Sequence, residues 1–359
     1  MQLKPYWHYP REQFTQKIVR SIEAGLVQCL TIFAPRRIGK TQFLEFDLKP
    51  ALEAIGYEVI YFSFYGDESS GVINEFLMQL RKNISKSLLT KLKINEINLS
   101  WCKINFRERS IDELNVIELI TTLCQQAAKQ NKKLVLMLDE IQELLNINNS
   151  RGFISSLRTA LDLNKLNLNV IFTGSSQTGL RLMFDDRKAP FFHFSLNVEM
   201  ELFERDFSDF IADKYIELTN KNINKDKLWE VFGRLGRITE YLRHVINQIL
   251  TEPNLDMDTA CQQFLTNINS KERLDGHWQR LSDIEKILCK WIALGNHTFY
   301  DGKLAQYAKL NHSQNITQGK IQYALEMLQN KYDIIQKLDP TDNYTFSNQY
   351  FATWILENI

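Results

Sequence analysis

Five short runs of apolar and β-branched residues punctuate the first two hundred positions: residues 28–34 (QCLTIFA), 57–65 (YEVIYFSFY), 133–140 (KLVLMLDE), 168–176 (LNVIFTGSS) and 191–197 (FFHFSLN). Each has the length and composition of a strand. The third, almost wholly apolar up to its acidic end, has the pattern of a central parallel strand covered on both faces. Between these runs, Thr41 to Ala54, Ile111 to Gln130 and Phe153 to Leu163 repeat their apolar residues at helical spacing. Strand and helix in alternation predict an α/β layer structure, a parallel sheet with helices on both faces. Residues 66–110 interrupt the rhythm with a polar, Asn- and Lys-containing insertion, helical in part.

Beyond about residue 200 the strand pattern stops. Glu204 to Leu218, Lys225 to Leu235, Ile238 to Leu250 and Asp256 to Asn267 all read as helices. A third pattern starts near residue 278: a helix in LSDIEKILCKWIAL, a shorter one in YDGKLAQYAKL, and another in NITQGKIQYALEMLQNK. Two strand-like pieces, YDIIQKL and YTFSN, follow across a DPTDN turn. Three helices and a β-hairpin predict a winged helix. The expected organisation is therefore 1–203, an α/β domain with its insertion at 66–110; 204–277, a helical domain; and 278–359, a winged helix.

Charge narrows the picture. Lys plus Arg and Asp plus Glu both number 43, so the formal net charge is zero. A dedicated nucleic-acid coat would carry a basic excess, so any such binding needs a local patch. The five cysteines, Cys29, Cys102, Cys124, Cys261 and Cys289, are odd in number and scattered, which suits reduced thiols. No run approaches the roughly 18 apolar residues that span a bilayer, and the N-terminus lacks a secretory core. A cytoplasmic protein, without membrane attachment, is expected.

The candidate chemistry begins at Ala34 to Thr41, APRRIGKT. Read alone, this is either a phosphate cradle or an Arg-rich turn between a strand and a helix. A phosphate cradle needs a strand, a loop whose backbone N–H groups wrap the anion, and a helix whose positive N-terminus faces it. Here Ala34, Pro35, Arg36, Arg37 and Ile38 form the loop. Gly39 allows close backbone approach, Lys40 reaches the β- and γ-phosphates, and the Thr41 hydroxyl is a Mg²⁺ ligand. The run KLVLMLDEIQEL, Lys133 to Leu144, resolves the choice in favour of the cradle. It delivers Asp139 and Glu140 to the C-terminal end of a central strand, where open α/β sheets bind ligands. Asp139 then serves Mg²⁺ beside Thr41, and Glu140 accepts the proton of the water that attacks the γ-phosphate. A third polar strand end, FTGSS, offers Thr173, Ser175 and Ser176, with Ser175 favoured for catalysis; a helix N-cap is the competing reading.

These runs, PRRIGKT, LVLMLDEIQEL and FTGSS, together with GRITEYL and the terminal NYTFSNQYFATWIL, resemble the AAA+-related archaeal-type ATPases, kin of the STAND switches and of origin-recognition-type initiators. The resemblance spans nearly the whole chain. It implies an AAA+-like P-loop NTPase sheet, an α-helical lid, a C-terminal winged helix, and ATP or ADP as the nucleotide with Mg²⁺. It also implies that YPREQF brings Arg11 near the adenine. The lid motif keeps Gly236, Tyr241 and Leu242 but lacks the usual proline; Arg237 within it is either a phosphate contact or a surface residue. The family often carries an arginine finger after GSS. Here that region reads DDRKAPFFHF, with Arg187 too early and His193 near the expected position, which leaves oligomer-dependent hydrolysis in question.

If the winged helix reads a major groove, Gln314, Asn315, Thr317, Gln318 and Lys320 at the start of its third helix are the contacts. Residues 278–359 hold eight Lys or Arg and eight Asp or Glu, with no surplus for phosphates. The aromatic residues of this segment, Tyr323, Tyr332, Tyr344, Tyr350, Phe351 and Trp354, read as core. Two functions follow: a Mg-dependent ATPase that couples nucleotide state to double-stranded DNA or a protein partner, alone or as a homo-oligomer, or a slow-turnover switch that contacts only protein. A small-molecule kinase fits less well, because such kinases usually lack the C-terminal module.

Overall fold

A computed structural model describes residues 5–66, 71–84, 97–99, 102–104, 115–174, 180, 183–184, 191–192, 194–272, 274–312, 314, 316–332, 334–337 and 343–359. Chain order starts with α1 (Glu12–Glu23) and β1 (Cys29–Phe33). Next comes α2, which opens as Lys40–Gln42, passes through a π-helical stretch, Phe43–Leu48, and ends as Lys49–Ala54. Then follow β2 (Glu58–Ser63), α3 (Gly71–Asn83), the small antiparallel pair β3 (Ile97–Leu99) and β4 (Cys102–Ile104), and α4 (Val116–Lys129). The α/β part closes with β5 (Leu134–Asp139), a 3₁₀ turn (Ile141–Asn146), α5 (Arg151–Leu163), β6 (Leu168–Gly174) and β7 (Leu196–Glu199).

The main sheet has five strands in the order β2-β5-β6-β1-β7, and every pairing is parallel. The period of two along β5 explains its nearly continuous apolar sequence. Leu134, Leu136 and Leu138 join the core beneath α4 and α5, with Leu119, Leu123, Leu157 and Leu161. Val135 and Met137 join the opposite core, with Ile18 and Ile22 of α1 and Leu44, Leu48 and Leu52 of α2. Each fully buried Leu contributes about 1.5–3 kcal/mol relative to exposure. The same alternation puts Asp139, the next odd position, on the α2 side. Register aligns Phe33 of β1 with Gly174 of β6, and Ser63 of β2 with Asp139 of β5, so the strand ends share one edge.

The rest of the chain is mainly helical: α6 (Arg205–Thr219), α7 (Lys225–Arg234), α8 (Thr239–Thr251), α9 (Met257–Glu272) and α10 (Leu274–Arg280). After these come α11 (Asp283–Ala293), α12 (Lys303–His312), and α13 (Gln318–Glu326), which runs on through a π-helical turn, Met327–Lys331. The antiparallel ribbon β8 (Ile335–Lys337) and β9 (Tyr344–Phe346) precedes α14 (Gln349–Asn358). Ser282 and Glu285 form a capping box that starts α11 sharply. Residues from α6 to α14 contribute to one apolar core, in which Phe207, Phe232 and Leu242 lie with Leu288, Phe346 and Trp354.

The outcome differs from the sequence pattern in particular places. The strand expected at 191–197 is instead β7, Leu196–Glu199. Phe191 belongs to an aromatic cluster with Phe172 and Phe184, whereas β7 is a largely exposed edge strand that carries no apolar alternation. Helices α1, α10 and α14 went unmarked. Tyr323, read as core, is 64% exposed on α13. Within the expected insertion at 66–110 the structure describes α3, β3 and β4. Among the described residues, no helix is long and apolar enough to cross a membrane.

Candidate active site

The loop from Ala34 to Gly39 leaves β1 and enters α2 with two backbone reversals: Arg37 has φ 66° and Gly39 has φ 92°. Gly39 takes the left-handed conformation without Cβ strain, while Arg37 accepts it at some cost. Such reversals turn successive N–H groups toward one concavity, an arrangement suited to anions. Lys40 is buried, and its Nζ donates to the carbonyls of Ala34 at 3.2 Å and Pro35 at 3.0 Å. Burial lowers its pKa below the ordinary lysine value of 10.5; the nearby Glu140 and Asp139 carboxylates oppose that shift, and Arg36 adds to it.

Across the cleft, Asp139 is 1% exposed at the end of β5. Its Oδ2 accepts from Thr41 Oγ1 at 2.9 Å and from the Tyr61 hydroxyl at 3.1 Å. Its Oδ1 accepts from the Glu140 backbone N–H at 3.1 Å and from Thr173 Oγ1 of β6. Burying a carboxylate is costly unless donors surround it, and these supply them. Tyr61 is held protonated by burial and then by Asp139, both of which push its pKa above the usual range. Glu140 follows with φ 52°, a left-handed residue that breaks β5 sharply into the 3₁₀ turn. Its Oε2 accepts from Gln142 Nε2 at 2.5 Å.

A cleft of about 450 Å³ brings Lys40, Thr41 and Glu140 together. Gly39, Lys40 and Thr41 line one wall, Tyr65, Glu140 and Glu143 the second, and Thr239, Glu240 and Arg243 of α8 the third. Helix α8 is tied to the loop directly. The Arg37 carbonyl accepts from Thr239 Oγ1 at 2.9 Å and from Glu240 N–H at 3.3 Å, and Arg37 Nη1 donates to the Tyr241 hydroxyl at 2.7 Å. Beyond Gly39 the space narrows to about 10 Å³ between Tyr9, Phe43, Phe203 and Arg243. Arg243 closes this neck from α8, donating to Gln42 Oε1 at 3.1 Å and to the Trp7 carbonyl at 2.8 Å.

The N-terminal segment docks here through the π-helical part of α2. Asp47 in that stretch accepts from His8 Nε2 at 2.7 Å and from the Arg11 backbone N–H at 3.1 Å. Arg11 borders the narrow neck, but its guanidinium is committed: Nη1 to the Glu201 carbonyl at 2.7 Å, Nη2 to the Ile38 carbonyl at 3.1 Å, and its plane 3.6 Å from the Phe203 ring centre. Arg237 turns away from the loop. Its Nε donates to the Phe203 carbonyl at 2.9 Å and its Nη2 pairs with Glu204 at 2.5 Å. Its backbone is left-handed, with φ 56°.

Of the expected residues, Arg36, Arg37, Gly39, Lys40, Thr41 and Glu140 line this one cleft; Asp139 is buried behind it and reaches it through Thr41, and Ala34, Pro35, Ile38 and Arg237 are not in its lining. Ser175, Ser176, Arg187, His193 and Asn315 fall outside the described residues. Gln314, Thr317, Gln318 and Lys320 stand at the start of α13, far along the chain from the cleft, the last three exposed. Sequence reading missed Tyr61, Gln142 and Arg243. Tyr61 and Gln142 sat inside runs already singled out, YEVIYFSFY and DEIQEL, and Arg243 follows EYL directly.

Thr41 and Asp139 suit magnesium: a hydroxyl and one carboxylate, both hard oxygen donors, are already in contact. Among the described residues there is no cluster of three or more His, Cys, Asp or Glu side chains that could hold a metal by protein ligands alone.

A family model for ATPase domains predominantly from Archaea matches residues 9–242. No curated protein is significantly similar to the chain. Among solved structures, a Walker-type ATPase of Pyrococcus abyssi superimposes with a TM-score of 0.64 at 20% identity, over 97% of this chain and 96% of its own. The ORC2 protein of Aeropyrum pernix, in its ADPNP–ADP complexes, gives a TM-score of 0.55 at 14% identity, over 98% of this chain and 94% of its own. At these identities the likeness is one of fold.

Proposed function

The chain belongs to the family of ATPase domains found predominantly in Archaea, and from that premise we propose a magnesium-dependent ATPase whose nucleotide state sets the position of its C-terminal helices. That it is a nucleotide-binding ATPase with an AAA+-type P-loop fold follows from the family and from the sheet order. The observation that carries the finer reading is the Thr41–Asp139 bond of 2.9 Å, beside Lys40 and Glu140 on a single cleft.

In this reading the loop N–H groups and Lys40 hold the β- and γ-phosphates, Lys40 exchanging its two carbonyl contacts for phosphate oxygens. Thr41 and Asp139 hold Mg²⁺, which when bound offsets charge on the transferred phosphoryl group. Glu140 orients the attacking water and takes its proton. A base has to enter the neck of about 10 Å³, which is too small for it. Binding therefore separates Arg243 and Thr239 from Trp7 and the loop, and this gives the ligand different affinities for two arrangements, as a switch requires. Because α8 packs in the core that continues to α14, that separation carries the C-terminal helices with it.

The winged-helix reading of α11–α13 with β8 and β9 also belongs to this proposal, and a protein partner fits its surface better than DNA. The exposed side chains of α13 and its cap are Thr317, Gln318, Lys320, Gln322, Tyr323 and Glu326, with one cation against one anion. DNA affinity rests on phosphate neutralisation, for which this face is poorly supplied. An exposed aromatic among neutral polar groups suits a protein surface.

Lys40→Ala tests the loop. The expected result is loss of binding to a fluorescent ATP analogue, and retained affinity would refute the assignment. Glu140→Gln tests the base. Binding is expected to persist while hydrolysis is lost, and unchanged turnover would remove Glu140 from that role.

A further inference from the structure

Gln142 is 3% exposed in the 3₁₀ turn after β5. Its amide nitrogen serves both carboxylates of the turn, donating to Glu140 Oε2 at 2.5 Å and to Glu143 Oε1 at 3.3 Å. Its other end is different. Oε1 is buried and has no hydrogen-bond partner. An orphaned buried acceptor is unfavourable, and an apolar side chain of the same size would avoid it. What a hydrocarbon cannot supply is the pair of N–H groups.

The space that holds this amide is made by Gly174, the last residue of β6. A Cβ at position 174 would lie 2.0 Å from Gln142 Oε1 and 3.0 Å from its Cδ. Gly174 has no left-handed φ, so room for Gln142, rather than backbone freedom, is what its missing side chain provides. The neighbouring Thr173 bonds to Asp139 from the same strand end. Two consecutive residues of β6 therefore shape the acidic pair, one through a hydroxyl and one through a gap.

We propose that Gln142 is a positioning residue: seated in the gap left by Gly174, its amide fixes the Glu140 carboxylate for proton abstraction and couples it to the end of β6. This rests on the reading of Glu140 as the base. The amide narrows the positions open to a carboxylate carried on a left-handed residue, and misplacement by about 1 Å can cost about 100-fold in rate. Nucleotide affinity does not depend on that orientation.

The experiment is steady-state ATP hydrolysis and ATP-analogue binding by the full chain carrying Gln142→Met, Gln142→Ala, Gly174→Ala, or Gln142→Ala with Gly174→Ala. Gln142→Met keeps the volume and removes the donors. The expected result is a fall in kcat of about 10- to 100-fold with analogue Kd unchanged. Gly174→Ala, which displaces the amide, is expected to lose as much alone and to add nothing in the Gln142→Ala background. Wild-type kcat in Gln142→Met, a raised kcat, or independent additive losses in the cycle would each overturn the proposal. Should Gln142→Met fail to fold, the Ala cycle answers the same question, since its double variant removes the clash with the amide and leaves only a 3.0 Å contact with the end of the Leu180 side chain. Glu140→Gln run alongside separates the two levels. If it still turns over, the base assignment fails; if it is inactive while Gln142→Met is not impaired, only the positioning role fails.

Discussion

Arg37 of the phosphate loop donates from Nη1 to the Tyr241 hydroxyl of α8 at 2.7 Å, and the Tyr241 ring meets Tyr350 of α14 edge-on, with centroids 6.3 Å apart. A residue of the loop is thus two contacts from the last helix of the chain. Tyr241→Phe keeps the ring and removes the bond. It is expected to cost about 0.5–1.5 kcal/mol of stability in the nucleotide-free protein. It is also expected to tighten ATP-analogue binding, because the closed arrangement loses a bond that the open one does not need. Urea denaturation and analogue titration check both; weaker binding would mean that Tyr241 belongs to the nucleotide-bound state.

Asp139 depends on its hydroxyl donors. Tyr61→Phe leaves its carboxylate with Thr41, Thr173 and one backbone N–H. A destabilisation of about 1–3 kcal/mol is expected without nucleotide, with a smaller loss when Mg²⁺ and analogue are present. Thermal unfolding with and without ligand checks this, and an equal loss in both states would count against a shared site.

Lys40 sets an alkaline limit. Burial lowers its pKa below 10.5, so in the free protein it gives up its proton at a lower pH than an exposed lysine. A triphosphate interacts favourably with the ammonium and not with the amine. Analogue affinity is therefore expected to fall as pH rises through the lowered value, with proton uptake on binding in that window. Binding titrations up to alkaline pH check this. Lys40→Arg, if it binds at all, should flatten the limb.

The helices after residue 204 are expected to unfold together. Phe232 of α7 is 0% exposed in the core that also holds Trp354 of α14. Phe232→Ala should cost about 3–5 kcal/mol. Amide exchange is expected to lose protection in α11 and α14 along with α6 to α8; protection retained by α11–α14 would show two independent units.

Duplex DNA is expected to bind weakly and without a steep salt dependence, given the balanced charge of residues 278–359. Fluorescence anisotropy across salt concentration checks this. Tight, strongly salt-dependent binding that Lys320→Glu abolishes would move the partner from protein to DNA.

The sheet and its motifs were legible because their signals are local. Apolar runs marked β1, β2, β5 and β6 to within two or three residues, and the loop and acidic pair are contiguous letters. What escaped was set by tertiary contact. β7 is an exposed edge strand held by pairing to β1 rather than by apolar residues of its own. Arg237 carried the motif position, yet its side chain is held by Phe203 and Glu204, while Arg243, about one turn into α8 from its start, reaches the cleft. Gln142 lay in plain view within DEIQEL, but the space it occupies depends on Gly174, thirty-two positions later, and no periodicity reports a missing side chain.

The single interior shared by α6 through α14 has a mechanical consequence. Two modules joined by a linker act as springs in series and dissipate whatever strain a ligand imposes on the first. A continuous apolar filling joins them instead, so under the proposed switch a rotation beside Arg37 would be passed on to α14. In the proposed switch, free energy from phosphate binding would be felt as far as α14 instead of being absorbed at a joint.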